Sequence, residues 1–250
     1  MPIVTCQDRE FAEIEAIVFD KDGTLQDSRV NLIALTRISS RSIEARIPGT
    51  YGNLLAAAGL RNNELDPAGL MAVGSRAENI MAAAACIAIA GCDWVEAKHV
   101  AEEAFEIADL EMEKLPISPL FEGVLDALVM FARAGLKLAV LSAATSKEVD
   151  EFVRGNRLEG YFDFWLGVDG EITKPDPQLL WRVCERIGAD PANTLVIGDA
   201  QTDIQMARNA GAAGVIGIDW HGNFTRLTGA DAIVDRLSAI QVNRSRSTPP

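Results

Sequence analysis

Asp20 and Asp22 stand two residues apart at the end of the apolar run Ala16-Ile17-Val18-Phe19, immediately before Gly23-Thr24. An apolar run that stops in an acidic pair and a Gly-Thr turn reads as a buried strand opening into a loop. Paired carboxylates in that position suit a metal ion, an acid/base pair or a nucleophile. Three further places share the pattern. Ser142 follows the apolar stretch Lys137–Leu141, Gly198-Asp199 follows Thr194–Ile197 with Asp203 one helical turn on, and Lys174 precedes Pro175-Asp176-Pro177, a helix opening. Three carboxylates gathered at one sheet end repel each other unless a cation holds them. Hard oxygen ligands without a His or Cys cluster point to Mg²⁺. Ser142-Ala143-Ala144-Thr145 brings small residues and backbone N–H groups to a helix start, and with Lys174 this suits a phosphoryl group.

The elements that must position these residues follow from periodicity. Asp27-Ser28 offers a helix start, with Val30, Ile33, Ala34, Arg37 and Ile38 at helical intervals. To about Leu115 the segments are helical, broken at Pro48-Gly49, Asn62-Asn63, Asp66-Pro67 and Gly91. The clearest helix starts at Asp93 with Glu96 as a capping box, and its spacing buries Trp94, Ala97, Ala101, Ala104, Phe105, Ala108, Met112 and Leu115. Pro116 and Pro119 form the return hinge. Alternation then takes over. Phe121 to Ala134 reads as a helix with Val124, Leu125, Leu128, Phe131 and Ala132 inward, Lys137–Leu141 as a strand, and Thr145 with Glu148 as the cap of the next helix. Strands at 162–166, 194–197, 215–218 and 232–234 enclose helices at 177–187 and 202–210 that stop at Gly188 and Gly211, and a last helix follows. Repeated strand-helix units predict an α/β fold: a parallel sheet with helices on both faces, binding ligands at its strand C-terminal ends.

Composition narrows the class. With 250 residues and 48% hydrophobic content the chain can fill one large α/β domain and a smaller one. A formal charge of −13 argues against nucleic acid or an anionic membrane as partner. Cys6, Cys86, Cys92 and Cys184 show no paired spacing, so reduced thiols and a cytoplasmic compartment are expected. No export signal or membrane span is read, and Asn243 to Pro250 is expected to fray.

The pieces Asp20-Lys21-Asp22-Gly23-Thr24, Ser142, Lys174-Pro175 and Gly198-Asp199-Ala200-Gln201-Thr202-Asp203, in this order, resemble the haloacid dehalogenase-like superfamily, phosphatase branch, of phosphoglycolate phosphatase type. The resemblance implies a Rossmann-like core at 1–26 and 117–250 and an inserted all-helical cap at 27–116. It makes Asp20 the nucleophile of an aspartyl-phosphate and Asp22 the acid for the leaving alcohol, then the base for water. It gives Ser142 to the phosphoryl oxygens and Lys174 to their neutralisation and to orienting Asp20. Asp199 holds Mg²⁺ with Asp20 and the Asp22 carbonyl, and Asp203 supports the metal's waters. Thr24 and Ala143 join the substrate contacts. Arg46 and Tyr51, with Arg41, lie where related caps carry substrate-facing groups, although an exposed arginine is also what an ordinary solvated helix carries.

The resulting expectation is a Mg²⁺-dependent phosphomonoesterase for a small phosphorylated metabolite such as phosphoglycolate or a sugar phosphate, working as a monomer or homodimer. A dehalogenase or a phosphonate-cleaving relative has no acid at the Asp22 position and fits less well. A phosphomutase keeps both aspartates and stays open, as does a non-catalytic regulator that senses a phosphorylated ligand. His99 and His221 read as solvated helix and loop residues.

Overall fold

The computed structural model describes residues 2–222 and 226–244. Its centre is β3 (Ala16–Phe19), a strand buried on both faces, as expected of four consecutive apolar residues without alternation. β6 (Lys137–Leu141) and β8 (Thr194–Gly198) flank it in parallel register. β7 (Phe164–Leu166), β9 (Gly214–Ile218) and β10 (Ala232–Val234) extend the sheet to the order β10-β9-β8-β3-β6-β7. The chain therefore leaves β3 towards one edge, then jumps back across it to β8. The strand order reverses at β3, where parallel sheets collect ligands.

Side chains alternate across this sheet into two cores. Ile17, Phe19, Leu138, Val140, Leu195 and Ile197 pack with α6 (Val124–Arg133) and α7 (Ser146–Gly155). Ala16, Val18, Ala139, Leu141 and Val196 pack on the opposite face with α8 (Pro177–Ile187) and α9 (Gln201–Ala210). On α6 the buried residues are Val124, Ala127, Leu128 and Phe131, one stripe at three- and four-residue steps. Leu125 and Ala132, expected inward, lie about one residue's rotation off that stripe and are exposed.

Both chain ends depart from expectation. β1 (Pro2–Cys6), β2 (Arg9–Phe11) and β11 (Ile240–Arg244) form a three-stranded antiparallel sheet, with Pro2 opposite Arg244. Val4, Cys6, Phe11 and Ile240 join the first core. The expected last helix is only a single 3₁₀ turn, Leu237–Ala239, and the expected tail begins as strand. Ser245 to Pro250 lie outside the described residues.

A second compact unit comprises Ser28–Pro119 with Asp169–Glu171. Its helices are α1 (Arg29–Arg46), α2 (Tyr51–Ala58), α3 (Leu70–Val73), α4 (Arg76–Ile89) and α5 (Trp94–Met112). The unit is not wholly helical. β4 (Leu60–Arg61) and β5 (Glu64–Leu65) make a small hairpin, and Asn62 and Asn63 turn it at positive φ, a conformation asparagine tolerates. α1 buries Leu35, Thr36, Ser39, Ser40 and Ile43, and the alanines of α5 form the neighbouring core. Val30, Trp94 and Leu115 are exposed because each lies at or beyond a helix end, where no neighbouring helix covers it. Asp93 caps α5 through the Val95 and Glu96 N–H groups, while the reciprocal boxes are Ser75/Glu78 on α4 and Thr145/Glu148 on α7. The four cysteines are free, and no described helix is long and apolar enough to cross a membrane.

Candidate active site

The parallel register places the last residues of β6, β3 and β8 side by side, so the groups that follow them emerge together. Asp20 leaves β3, Asp199 leaves β8, and Asp203 stands on the first turn of α9. These three carboxylates each place an oxygen within 4.8 Å of the other two. Lys174, three residues ahead of α8, donates to Asp20 Oδ1 at 2.6 Å and to Asp203 Oδ1 at 2.7 Å. Asp203 is 1% exposed and Lys174 6%, so neither charge is met by bulk water.

Backbone geometry fixes the acids closely. Asp203 Oδ2 accepts the Ala200 N–H at 3.1 Å, which folds its carboxylate back over the end of β8. A Cβ on Gly198 would lie 2.4 Å from that carboxyl carbon. Gly23, at φ +76°, lies so close to Asp199 that a Cβ would fall 2.1 Å from Oδ2. Any side chain at either position would push an acid out of the cluster. Thr24 is fully buried, and its hydroxyl donates to Asp199 Oδ1 at 3.2 Å.

Asp22 stands apart from the three clustered carboxylates. Its carboxylate lies 2.5 Å from Lys21 Nζ and accepts from Gln26 Nε2 at 2.8 Å. Ser142, buried at the end of β6, donates its N–H to the Leu166 carbonyl and accepts the Ala144 N–H on Oγ. Ala143 follows it towards the Thr145 cap of α7. Arg46 and Tyr51 belong to the helical unit. Arg46 is ion-paired with Glu103, which also contacts His99 at 3.1 Å, and Tyr51 opens α2 with its N–H on Glu44 at 2.7 Å. Arg41 is exposed.

Electrostatically the cluster carries too many negative charges. Burial raises the Asp20 carboxyl to about 7, with Asp203 and Asp22 adding to the rise and Lys174 opposing it. Burial also raises Asp199 well above the usual carboxylate range, helped by Asp20 and Asp203 and resisted by Lys174 and Thr24. For Lys174 burial alone would lower the pKa, but Asp20 and Asp203 outweigh it and hold the ammonium charged. One ammonium among three carboxylates, two of them buried and Asp199 half-buried, leaves an uncompensated negative site made only of hard oxygen donors. That donor set fits a divalent cation such as Mg²⁺.

Three groups of this neighbourhood escaped the sequence reading. Lys21 and Gln26 hold Asp22, and their i−1 and i+4 spacing to it was visible without showing that all three meet. Trp220 donates its indole N–H to the Thr24 carbonyl at 3.3 Å, and its only sequence signal was an aromatic residue just past a strand end.

Comparison with known proteins adds an independent line. A family model described as haloacid dehalogenase-like hydrolase matches residues 14–211. The Dickeya dadantii (strain 3937) protein named "Probable phosphatase IndB" is 34% identical over 132 residues, half of this chain and 57% of that protein's length. A Pseudomonas putida phosphoglycolate phosphatase is 27% identical over 233 residues, 90% of this chain and 77% of that one. Among solved structures, that titled a predicted phosphoglycolate phosphatase from Haemophilus somnus 129pt superposes with a TM-score of 0.69 at 21% identity, covering 91% of this chain and 96% of that chain. A β-phosphoglucomutase from Clostridium difficile superposes at 0.66 with 19% identity, covering 90% and 92%. At such identities the structures speak for the fold alone.

Proposed function

We propose, since this chain belongs to the haloacid dehalogenase-like hydrolase family, that it is a Mg²⁺-dependent phosphomonoesterase acting on a small organic phosphate through an aspartyl-phosphate on Asp20. The observation that carries the proposal is the clustered group Asp20, Asp199 and Asp203, with Lys174 bridging the first and last at the strand-order reversal. In this reading residues 1–26 and 117–250 form the catalytic core, and residues 27–116 form a cap whose Arg46 and Tyr51 contribute to substrate choice. The curated relatives named phosphoglycolate phosphatase support phosphoglycolate, and a sugar phosphate is the other small ester this reading admits. A cytoplasmic location is consistent with the free cysteines, and the reading includes a monomer or homodimer.

The chemistry divides among the chain's own groups. An Asp20 carboxylate oxygen attacks phosphorus in line, forming an O–P bond as the ester P–O bond breaks. Asp22 gives its proton to the departing alkoxide, and as a carboxylate it then takes a proton from the water that attacks phosphorus. That second displacement restores Asp20 and releases inorganic phosphate. Lys174, the Ser142 hydroxyl and the Ala143 N–H balance and orient the phosphoryl oxygens. Mg²⁺, held by the Asp20 and Asp199 carboxylates with the Asp22 backbone carbonyl while Asp203 supports its waters, would supply charge neutralisation that brings carboxylate and phosphoryl group together.

The test is phosphate release across a panel of phosphoglycolate, sugar phosphates and aryl phosphates, with Mg²⁺ and with chelator. Saturable, Mg²⁺-dependent release by wild type and none by Asp20→Asn is the expected result. Isomerised substrate with organic phosphate conserved would instead make the protein a phosphomutase. No turnover with any ester would favour the regulator reading.

A further inference from the structure

We infer that Trp220 is a positioning residue for the metal-holding Asp199, acting through Thr24; the inference rests on the Mg²⁺ site proposed above. Trp220 stands two residues past β9, and β9 is separated from β3 by β8. Its loop therefore reaches past the end of β8 to the turn that carries Asp20 and Asp22. There the indole N–H donates to the Thr24 carbonyl at 3.3 Å. The indole ring stacks on Phe121, with centroids 4.3 Å apart and planes 11° from parallel. The Phe121 backbone N–H in turn donates to the Leu25 carbonyl at 3.1 Å. Two consecutive carbonyls of the turn are thus gripped by two residues whose rings lie against each other.

The grip matters because of what Thr24 and Gly23 touch. The Thr24 hydroxyl donates to Asp199 Oδ1 at 3.2 Å, and Gly23 approaches the same carboxylate so closely that no Cβ would fit. The place of the turn backbone therefore sets the place of Asp199. Removing the indole N–H leaves the carbonyl of fully buried Thr24 without a hydrogen-bond partner among the described residues. The turn then has reason to shift, and Asp199 with it. The root of the Trp220 loop is itself fixed, since Asp219 donates its N–H to the Val234 carbonyl at 2.8 Å and its carboxylate accepts the His221 N–H at 3.0 Å.

The experiment is Mg²⁺ titration by calorimetry of full-length wild type, Trp220→Phe and Trp181→Phe, with no substrate present. Trp181 makes the matched control because its indole also donates to a backbone carbonyl, that of Ala210 at 3.1 Å, at the far end of α9. Trp220→Phe keeps an aromatic ring against Phe121 and loses only the donor, so Mg²⁺ affinity is expected to fall roughly fivefold while Trp181→Phe binds like wild type. A second reading needs no variant: the assigned Trp220 indole ¹⁵N–¹H resonance of wild type should move on Mg²⁺ addition and the Trp181 resonance should not. Equal affinity in wild type and Trp220→Phe, equal losses in both variants, or an unmoved Trp220 resonance with saturated metal overturns the inference. Absence of saturable binding by wild type would instead overturn the proposed metal site, and the inference would fall with it.

Discussion

Among the described residues Lys174 is the one ammonium that donates to the clustered acids, and its hydrogen bonds to Asp20 and Asp203 offset part of a repulsion that burial makes severe. Removing one partner of a buried ionic group is costly because the charges left behind have neither water nor a counter-ion, typically by about 3–5 kcal/mol. Lys174→Met should therefore lose about that much stability in metal-free urea denaturation and recover part of it in excess Mg²⁺. Metal-free stability equal to wild type would mean that the acids are held apart some other way. Asp22 offers a prediction of a different kind. Its carboxylate sits with Lys21 and Gln26 rather than among the three acids. An alkyl phosphate expels a strongly basic oxygen and needs a proton, whereas a nitrophenolate leaves without one. Asp22→Asn should thus slow aspartyl-phosphate formation from alkyl esters by roughly a hundredfold or more and spare the nitrophenyl burst. Rapid-mix single-turnover rates decide it, and equal slowing for both esters would remove Asp22 as the acid. At this scale the sequence was readable, because each acid, Ser142 and Lys174 is announced by an apolar run or a helix opening beside it. Trp220 acts through a contact 196 residues along the chain that no local pattern encodes.

Elements were legible where their signals are local and hidden where they are not. β6, α8 and β10 begin and end where apolar runs, Pro177 and Gly188 mark them. β1 and β11 are five-residue strands at opposite chain ends, and β11 forms by pairing along the whole of β1, a partner so distant along the chain that no local pattern announces it. The inward face of α6 was partly misplaced because apolar residues surround the true stripe. Spacing gives the period of a helix but not which neighbour covers it. α7 allows a quantitative check at this scale. The Thr145 hydroxyl accepts the Glu148 N–H at 3.2 Å, and the Glu148 carboxylate accepts the Thr145 N–H at 2.8 Å. Thr145→Ala should cost about 1 kcal/mol in urea denaturation, while Thr145→Ser retains most of it. Because the cap residue Thr145 lies three residues after Ser142, the Ala variant should also raise KM for the phosphate ester; an unchanged KM would show that the Ser142 loop holds its shape without the cap.

For the whole molecule, the acid cluster makes stability depend on pH in the direction opposite to an ordinary ion pair. Asp20 titrates near 7 in the metal-free folded protein, and Asp199 is also raised, by burial and by the neighbouring acids. An unfolded aspartate titrates near 4. Between those values the folded state binds more protons than the unfolded one, so the slope of stability with pH is negative: stability falls as pH rises through the window. Surface acids such as Glu44, Glu103 and Asp150 have lowered pKa values from hydrogen bonds to backbone or basic groups. Their contribution is present above the unfolded pKa and is lost only as pH falls below it, so they do not act in this window. Metal-free protein should accordingly have a higher Tm at about pH 5 than at about pH 8. Protons compete with Mg²⁺ for Asp20 and Asp199, so saturating Mg²⁺ should raise Tm more at the higher pH and reduce or reverse the slope. Calorimetric melts at the two pH values, with chelator and with Mg²⁺, give four temperatures that decide the matter. A metal-free Tm that rises towards alkaline pH, or a Mg²⁺ increment larger in acid, would show that the cluster is not the uncompensated centre of negative charge that its geometry describes.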